Sequence, residues 1–105
     1  MDKEQALKCA SEYAQEVLRF MQPEQIFLFG SYAKNDAHPE SDIDIAVIYN
    51  GFKGNWLQTS VNLWNLTRGI SAYIEPILLD SASDRSGFVS EVFRTGTRIY
   101  PAPLA

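Results

Sequence analysis

A small-residue turn and a pair of aspartates constrain the fold of this chain more than any other feature. Gly30 and Ser31 follow an apolar run, and ten residues separate Ser31 from the sequence Asp42-Ile43-Asp44. Because side chains alternate between the two faces of a strand, Asp42 and Asp44 point the same way and can bind the same divalent cations. For these carboxylates to face the turn, their strand must lie beside the strand that ends at Gly30. The sequence therefore predicts two neighbouring strands that share a polar end.

The turn has the composition of an anion-binding segment. The missing side chain at Gly30 lets the backbone approach a phosphate closely, and Ser31 offers an N–H and a hydroxyl at the start of a helical turn. Two carboxylates in an otherwise apolar strand repel each other and are hard to desolvate without a cation. The alternative is a simply solvated sheet face. The combination favours transfer of a nucleotide from a nucleoside triphosphate to a hydroxyl.

Composition narrows the classes of protein that fit. A chain of 105 residues, 46% hydrophobic and 21% charged, indicates one small folded domain over residues 1–105. Its net charge of −4 argues against sequence-independent nucleic-acid binding, so we expect no direct nucleic-acid contact. A single cysteine, Cys9, suits a reducing cytoplasm. No signal-peptide pattern is visible, and no run approaches the ~18 apolar residues of a membrane span. We therefore expect a cytoplasmic protein without membrane contact.

Hydrophobic periodicity predicts the order helix, strand, strand, helix, strand, helix. The predicted helices cover residues 3–21, 55–69 and 84–95, and the predicted strands cover 25–29, 42–49 and 72–79. Pro76 lacks a backbone donor, which favours an edge strand or a bulge. The second helix is apolar on more than one side, and Trp56 and Trp64 either fill the core or meet another chain. The fold class is α/β (α+β), a small mixed β-sheet packed by helices.

The segment FLFGSYAKNDAHPESDIDIAVIY resembles the signature of the nucleotidyltransferase superfamily, which includes DNA polymerase beta, poly(A) polymerases and aminoglycoside nucleotidyltransferases. Its ten-residue gap and short length are most similar to the minimal, MntA-type members, antitoxins that act beside HEPN-domain ribonuclease toxins. The resemblance implies a polymerase beta-like palm fold and a single minimal nucleotidyltransferase domain.

The resemblance also implies a catalytic metal site. Asp42 and Asp44 match the family's first two carboxylates, and Glu75 matches the third, where the family usually has aspartate. Two Mg²⁺ ions held by these three residues would align ATP with an acceptor hydroxyl, and oxygen ligands favour magnesium or manganese over zinc.

The same resemblance implies a nucleotide-binding turn. Gly30 and Ser31 match the residues that hold the β and γ phosphates, and Lys34 is a further candidate for contact with them. Asn35 departs from the family, in which many relatives have glycine after the basic residue.

The implied function is transfer of AMP from ATP to a tyrosine hydroxyl of a partner HEPN toxin. The predicted site uses most of the chain, so we expect the acceptor to be very small or to be supplied by a partner. Two alternatives stay open: a stand-alone nucleotidyltransferase acting on a small molecule, and a non-catalytic antitoxin that covers its partner. Nucleotide binding distinguishes the non-catalytic antitoxin from the two enzymes. The need for a partner distinguishes the toxin-modifying enzyme from the enzyme that acts on a small molecule.

Overall fold

The computed structural model describes residues 1–38 and 40–102. Its elements, in chain order, are α1 (Lys3–Phe20), β1 (Gln25–Phe29), β2 (Ile43–Tyr49), α2 (Trp56–Asn65), β3 (Ile74–Asp80), α3 (Phe88–Thr95) and β4 (Thr97–Tyr100). Short 3₁₀ turns follow α2 at Leu66–Gly69 and β3 at Ser81–Ser83. The predicted α/β fold is confirmed, while the assignment of residues 1–105 to one domain stays a prediction.

The strands form one mixed sheet in the order β3-β2-β1-β4. β1 is antiparallel to both β2 and β4, whereas β2 and β3 are parallel. A parallel pair needs a crossover connection, and α2 with its 3₁₀ turn supplies it. β3 lies at an edge of the sheet, as Pro76 predicted.

The alternation along β2 divides the core between the two faces of the sheet. Ile43, Ile45 and Val47 pack with α1 and α2, whereas Ala46 and Ile48 pack with α3 on the opposite face. This confirms the predicted alternation, and it puts Asp44 on the α3 side. The hydroxyl of Tyr13 in α1 donates a 2.6 Å hydrogen bond to the carbonyl of Leu63 in α2, which ties the two helices together.

Several predicted boundaries are wrong by a few residues. The first helix ends at Phe20, α2 is α-helical only to Asn65, β2 begins at Ile43 and β3 begins at Ile74. The last helix begins at Phe88 rather than at Asp84, because the Asp84 carboxylate accepts hydrogen bonds from the N–H groups of Val89 and Ser90. Asp84 therefore caps the first turn of α3 from outside the helix.

The fourth strand was not predicted from the sequence. Thr97–Tyr100 is only four residues long and all four are half-buried, so it shows no alternation of buried and exposed positions. β4 becomes a strand by pairing with β1.

The surface of α2 is unusually apolar. Leu63 is its only buried residue, whereas Trp56 and Trp64 are 44% and 50% exposed. Neither tryptophan therefore fills the core. Within residues 1–38 and 40–102, no helix combines the length and apolarity needed to cross a membrane.

Candidate functional site

The glycine-serine turn closes directly against the second aspartate. Gly30 has a φ of 75°, and a Cβ at this position would overlap Asp44 Oδ2. The N–H of Lys34 donates to the carbonyl of Gly30 at 3.1 Å, and the N–H of Asp36 donates to that of Ser31 at 3.1 Å. These hydrogen bonds form the predicted helical turn. Glycine is required at position 30 both by the backbone conformation and by the approach of the Asp44 carboxylate.

The buried Tyr32 holds this turn on the α1 side of the sheet. Its ring is 2% exposed, and its hydroxyl donates to the carbonyl of Met1 at 3.1 Å. Tyr32 thus anchors the turn to the core on the α1 side of the sheet, while Ser31 stays half-buried at the surface.

Strand register brings two of the predicted carboxylates together. Asp44 is the register partner of Glu75 on β3, and of Phe29 on the other side in β1. Asp42 lies one residue before β2 and is exposed. Burial, then the charge of Glu75, then that of Asp42 raise the pKa of Asp44 to about 6. Glu75 is exposed on the edge strand.

The donor set fits a hard divalent cation. The ion pairs of the described residues join Arg19 to Glu16 and Arg94 to Glu91, so no basic side chain neutralises the three carboxylates. A bound cation would offset the negative charges that contribute to the raised pKa of Asp44, and oxygen ligands suit magnesium. In the described part of the chain, no group of three or more His, Cys, Asp or Glu side chains forms a ready-made metal site. Metal binding would therefore have to draw the side chains of Asp42, Asp44 and Glu75 together.

An open cleft of about 450 Å³ lies over the turn and the aspartates. Its lining residues are Ser31, Asp36, His38, Glu40, Ser41, Asp42 and Asp44. The N–H of His38 donates to Ser41 Oγ at 2.9 Å, and the N–H of Ser41 donates to the His38 carbonyl at 2.9 Å. This reciprocal pair fixes the chain just before Asp42. The sequence offered only one signal for Ser41, its position immediately before the first aspartate.

Two polar residues of the turn, Lys34 and Asn35, lie outside the lining of the cleft. Lys34 is exposed and does not line the cleft. The hydrogen bond from Arg94, and to a smaller extent the charges of Arg94 and Lys34, lower the pKa of Glu91 in α3. Asn35 has a φ of 61°, and its Oδ1 accepts a 3.0 Å hydrogen bond from Lys3 Nζ. Asparagine tolerates this left-handed conformation better than most residues, which explains how it replaces the family's glycine.

A second concavity of similar volume, about 440 Å³, lies at the far end of β2 between α1 and α2. Its lining includes Phe20, Tyr49, Phe52 and Lys53 and no carboxylate. Because phosphoryl transfer needs metal ligands, the acidic cleft is the better candidate.

Comparison with known families identifies the fold. The family profile described as "Polymerase beta, Nucleotidyltransferase" matches residues 11–102. The chain belongs to this nucleotidyltransferase family. Family membership supports a transferase, and the matched region includes the glycine-serine turn, both aspartates and Glu75.

Solved structures resemble this nucleotidyltransferase over most of its length. A protein assigned as a nucleotidyltransferase from Sulfolobus solfataricus has 26% identity and a TM-score of 0.69, with 91% of this chain and 80% of that chain covered. A toxin–antitoxin structure with AMP-PNP has 26% identity and a TM-score of 0.63, covering 88% and 73%. The mutant toxin–antitoxin pair MntA-HpeT has 24% identity and a TM-score of 0.61, covering 88% and 73%, and shows the fold alone. Comparison with curated protein sequences gives no match.

Proposed function

We propose that this nucleotidyltransferase moves AMP from ATP to a tyrosine hydroxyl of a partner HEPN ribonuclease toxin, and so acts as an antitoxin. The acceptor oxygen forms a bond to the α-phosphorus, and the bond between the α-phosphorus and the bridging oxygen to the β-phosphate breaks. Pyrophosphate leaves, and the hydroxyl proton passes to solvent. The observation that carries the proposal is the register pairing of Asp44 with Glu75 beside the Gly30–Ser31 turn.

Asp42, Asp44 and Glu75 are the residues that would hold two magnesium ions. Bound there, the metal would polarise the phosphates, favour departure of pyrophosphate and lower the pKa of the acceptor hydroxyl. Gly30 and Ser31 bind and orient the β and γ phosphates through backbone N–H groups and the serine hydroxyl. Lys34 stays a candidate for a longer-range contribution to phosphate binding.

The charge of the cleft supports a metal-dependent reaction. Asp36, Glu40, Asp42 and Asp44 all line it, and a free triphosphate carries the same sign of charge. Repulsion between these groups disfavours metal-free ATP, whereas a magnesium complex of ATP brings the compensating positive charge. We therefore expect ATP binding to require Mg²⁺ or Mn²⁺.

The comparisons support a protein acceptor. One similar structure is a toxin–antitoxin with AMP-PNP, so an adenine nucleotide and a toxin occur together in that structure. AMP attached at a toxin's ribonuclease centre would place an anion where an RNA phosphate binds, which explains inhibition by charge and by bulk. ATP and cellular RNA are both cytoplasmic, and we propose the same location for this chain.

The test is the intact mass of the toxin encoded beside this chain after incubation with the chain, Mg²⁺ and ATP. We expect a gain of one or more adenylates, lost with Asp44→Asn and lost on chelation of the metal. Asp36→Asn is the matched control, because it removes a cleft carboxylate outside the proposed metal set. Its rate should stay within a few-fold of the wild type.

The remaining outcomes identify the alternatives. A tight complex without any mass gain would indicate a non-catalytic binding antitoxin. Consumption of ATP on a small hydroxylated molecule without the toxin would indicate a stand-alone nucleotidyltransferase. Either result would contradict the proposed protein acceptor.

A further inference from the structure

One flank of α2 carries an apolar stripe made of Leu57, Val61 and Trp64. These side chains are 73%, 43% and 50% exposed. The whole helix, WLQTSVNLWN, contains no charged residue. A surface helix usually presents charged and polar residues to water, so an uncharged flank with three large apolar side chains indicates a surface that another molecule covers.

The α2 stripe faces away from α1, beyond the edge of the sheet. The opposite flank of α2, with Thr59, Asn62 and Leu66, shares a concavity with Phe20 and Met21 at the end of α1. The stripe lies about a third of a turn or more around the helix from those residues. Since α2 packs over β3, the stripe overhangs the sheet edge, where β3 pairs within the described residues with β2 alone.

The α2 stripe also leads toward the candidate active site. α2 returns the chain from the end of β2 to the start of the parallel strand β3, so it runs opposite to β3. Leu57 therefore lies at the distant end, and Trp64 lies at the end nearest the start of β3. Glu75 is the second residue of that strand. Asp44 and Glu75 point to the other face of the sheet, the one that carries α3, so a molecule lying along the stripe reaches them by extending around the edge strand β3.

We propose that the α2 stripe docks an amphipathic helix of the acceptor protein and thereby delivers the acceptor hydroxyl to the cleft; this inference rests on the proposed function. The spacings of four and three residues from Leu57 to Val61 to Trp64 match those of a helix–helix seam. The docked helix supplies apolar residues at the same spacings.

Charge at the end of α2 nearest β3 defines the docked helix further. Arg68 follows α2 and is exposed, and it forms no ion pair within residues 1–38 and 40–102. Lys53 precedes α2 but lines the concavity on the opposite flank, so it does not border the stripe. The docked helix therefore carries a carboxylate at the end that meets Arg68. A second copy of α2 supplies no such carboxylate, because α2 contains no charged residue.

The exposed area also favours a partner over a second copy. The three side chains expose on the order of 300 Å², the scale of functional patches on single proteins. A stable interface buries about 800 Å² on each side. A two-fold dimer held by the stripe alone falls short of this size, whereas an acceptor protein must also contact the surface near the carboxylates.

The experiment compares a triple variant, Leu57→Gln with Val61→Gln and Trp64→Gln, with Phe20→Gln. Phe20 is 64% exposed at the end of α1, so it controls for loss of an exposed apolar side chain outside the stripe. Complex formation with the toxin encoded beside this chain is measured by calorimetry, and AMP transfer by intact mass at limiting toxin. We expect the triple variant to lose at least about tenfold in toxin affinity and in transfer rate. Its affinity for a fluorescent ATP analogue with Mg²⁺ should be unchanged, and Phe20→Gln should behave as the wild type.

A triple variant that binds and modifies the toxin as the wild type does would overturn the proposal. So would a wild-type dimer in analytical ultracentrifugation that becomes a monomer in the triple variant, because the occupant would then be a second copy. Weakened complex formation in the absence of any AMP transfer would leave the docking surface standing while the proposed activity fails.

A crosslinking measurement covers the case in which the triple variant misfolds. A photoreactive p-benzoylphenylalanine at Val61 should crosslink to a toxin helix that carries acidic residues. A crosslink to this chain itself, or none to the toxin in a complex that forms, would overturn the docking surface.

Discussion

Asp44 and Glu75 stand side by side on the parallel strands β2 and β3, and burial followed by the charge of Glu75 raises the pKa of Asp44. Asp44 and Glu75 lie on the sheet face that carries α3, next to the turn at Gly30. The repulsion between these carboxylates disfavours the folded, metal-free chain. A bound cation would relieve that repulsion, and the same pair supports the proposed metal-dependent transfer.

The pH dependence of stability should report on Asp44. Its pKa is about 6 in the folded chain against 3.8 for an ordinary aspartate, first because of burial and then because of Glu75 and Asp42. Between these values the folded chain keeps a proton that the unfolded chain has lost, so the free energy of unfolding falls as pH rises through this window. The half-buried position is screened by solvent, and the loss should be on the order of 1 kcal/mol.

Urea unfolding in EDTA at a series of pH values measures this effect. Asp44→Asn should flatten the slope and should be the more stable protein at neutral pH. Added Mg²⁺ should stabilise the wild type at pH 8 more than at pH 5, because the metal binds the ionised carboxylate. A slope that is the same in Asp44→Asn would contradict this assignment.

Glu75 should be required as a carboxylate but should tolerate a change of length. Glu75→Gln should lower AMP transfer by at least about 100-fold, because one oxygen ligand and its charge are lost. Glu75→Asp restores the family's residue and should stay within about tenfold of the wild type. Stability should change little in both variants because Glu75 is exposed, and melting curves provide that control. Equal activity of Glu75→Gln and the wild type would remove Glu75 from the metal set.

Gly30 should be far more sensitive to substitution than Gly51. Both have positive φ, 75° and 83°, but a Cβ at Gly30 would overlap Asp44 Oδ2, whereas nothing lies within 4 Å of a Cβ at Gly51. Gly51→Ala should cost about 1 kcal/mol for the backbone conformation alone. Gly30→Ala should cost about 1–3 kcal/mol and should also abolish metal-dependent ATP binding. Denaturant midpoints and nucleotide titrations distinguish the two, and equal effects would exclude the steric contribution of Asp44.

Asn35 should accept glycine but not a β-branched residue. Asn35→Gly keeps access to the φ of 61° and loses only the exposed hydrogen bond from Lys3, so the free energy of unfolding should change by less than about 1 kcal/mol. Asn35→Val should lose about 1–2 kcal/mol, because a branched side chain is strained in the left-handed region. Thermal denaturation of the two variants tests this, and similar melting temperatures would contradict it.

The part of the fold fixed by hydrophobic pattern was predictable from the sequence. The run that ends at Gly30 and the alternation in Ile43–Tyr49 gave two neighbouring strands with a polar end, and Pro76 indicated an edge strand. These signals are local, because they depend only on the alternation of side chains along a strand and on the missing backbone N–H of proline. The matching of Glu75 to a third carboxylate came from family resemblance.

Features that depend on tertiary contacts were not predictable. β4 exists because β1 offers it an edge, and α3 begins late because Asp84 accepts hydrogen bonds from Val89 and Ser90. The influence of the Lys34 charge on the pKa of Glu91, smaller than that of Arg94, likewise depends on where α3 packs. His38 and Ser41 reach the cleft through hydrogen bonds to each other, and neither residue type indicates that pairing in advance.

The parallel arrangement of β2 and β3 has a consequence for the timing of synthesis. Asp42 and Asp44 leave the ribosome well before Glu75, since the whole of α2 is translated between them. A nascent chain, or one cut by a protease after α2, keeps both aspartates yet lacks the strand that sets a carboxylate beside them. With the proposed metal set, transfer therefore requires that the α2 crossover has closed and that β3 has paired with β2.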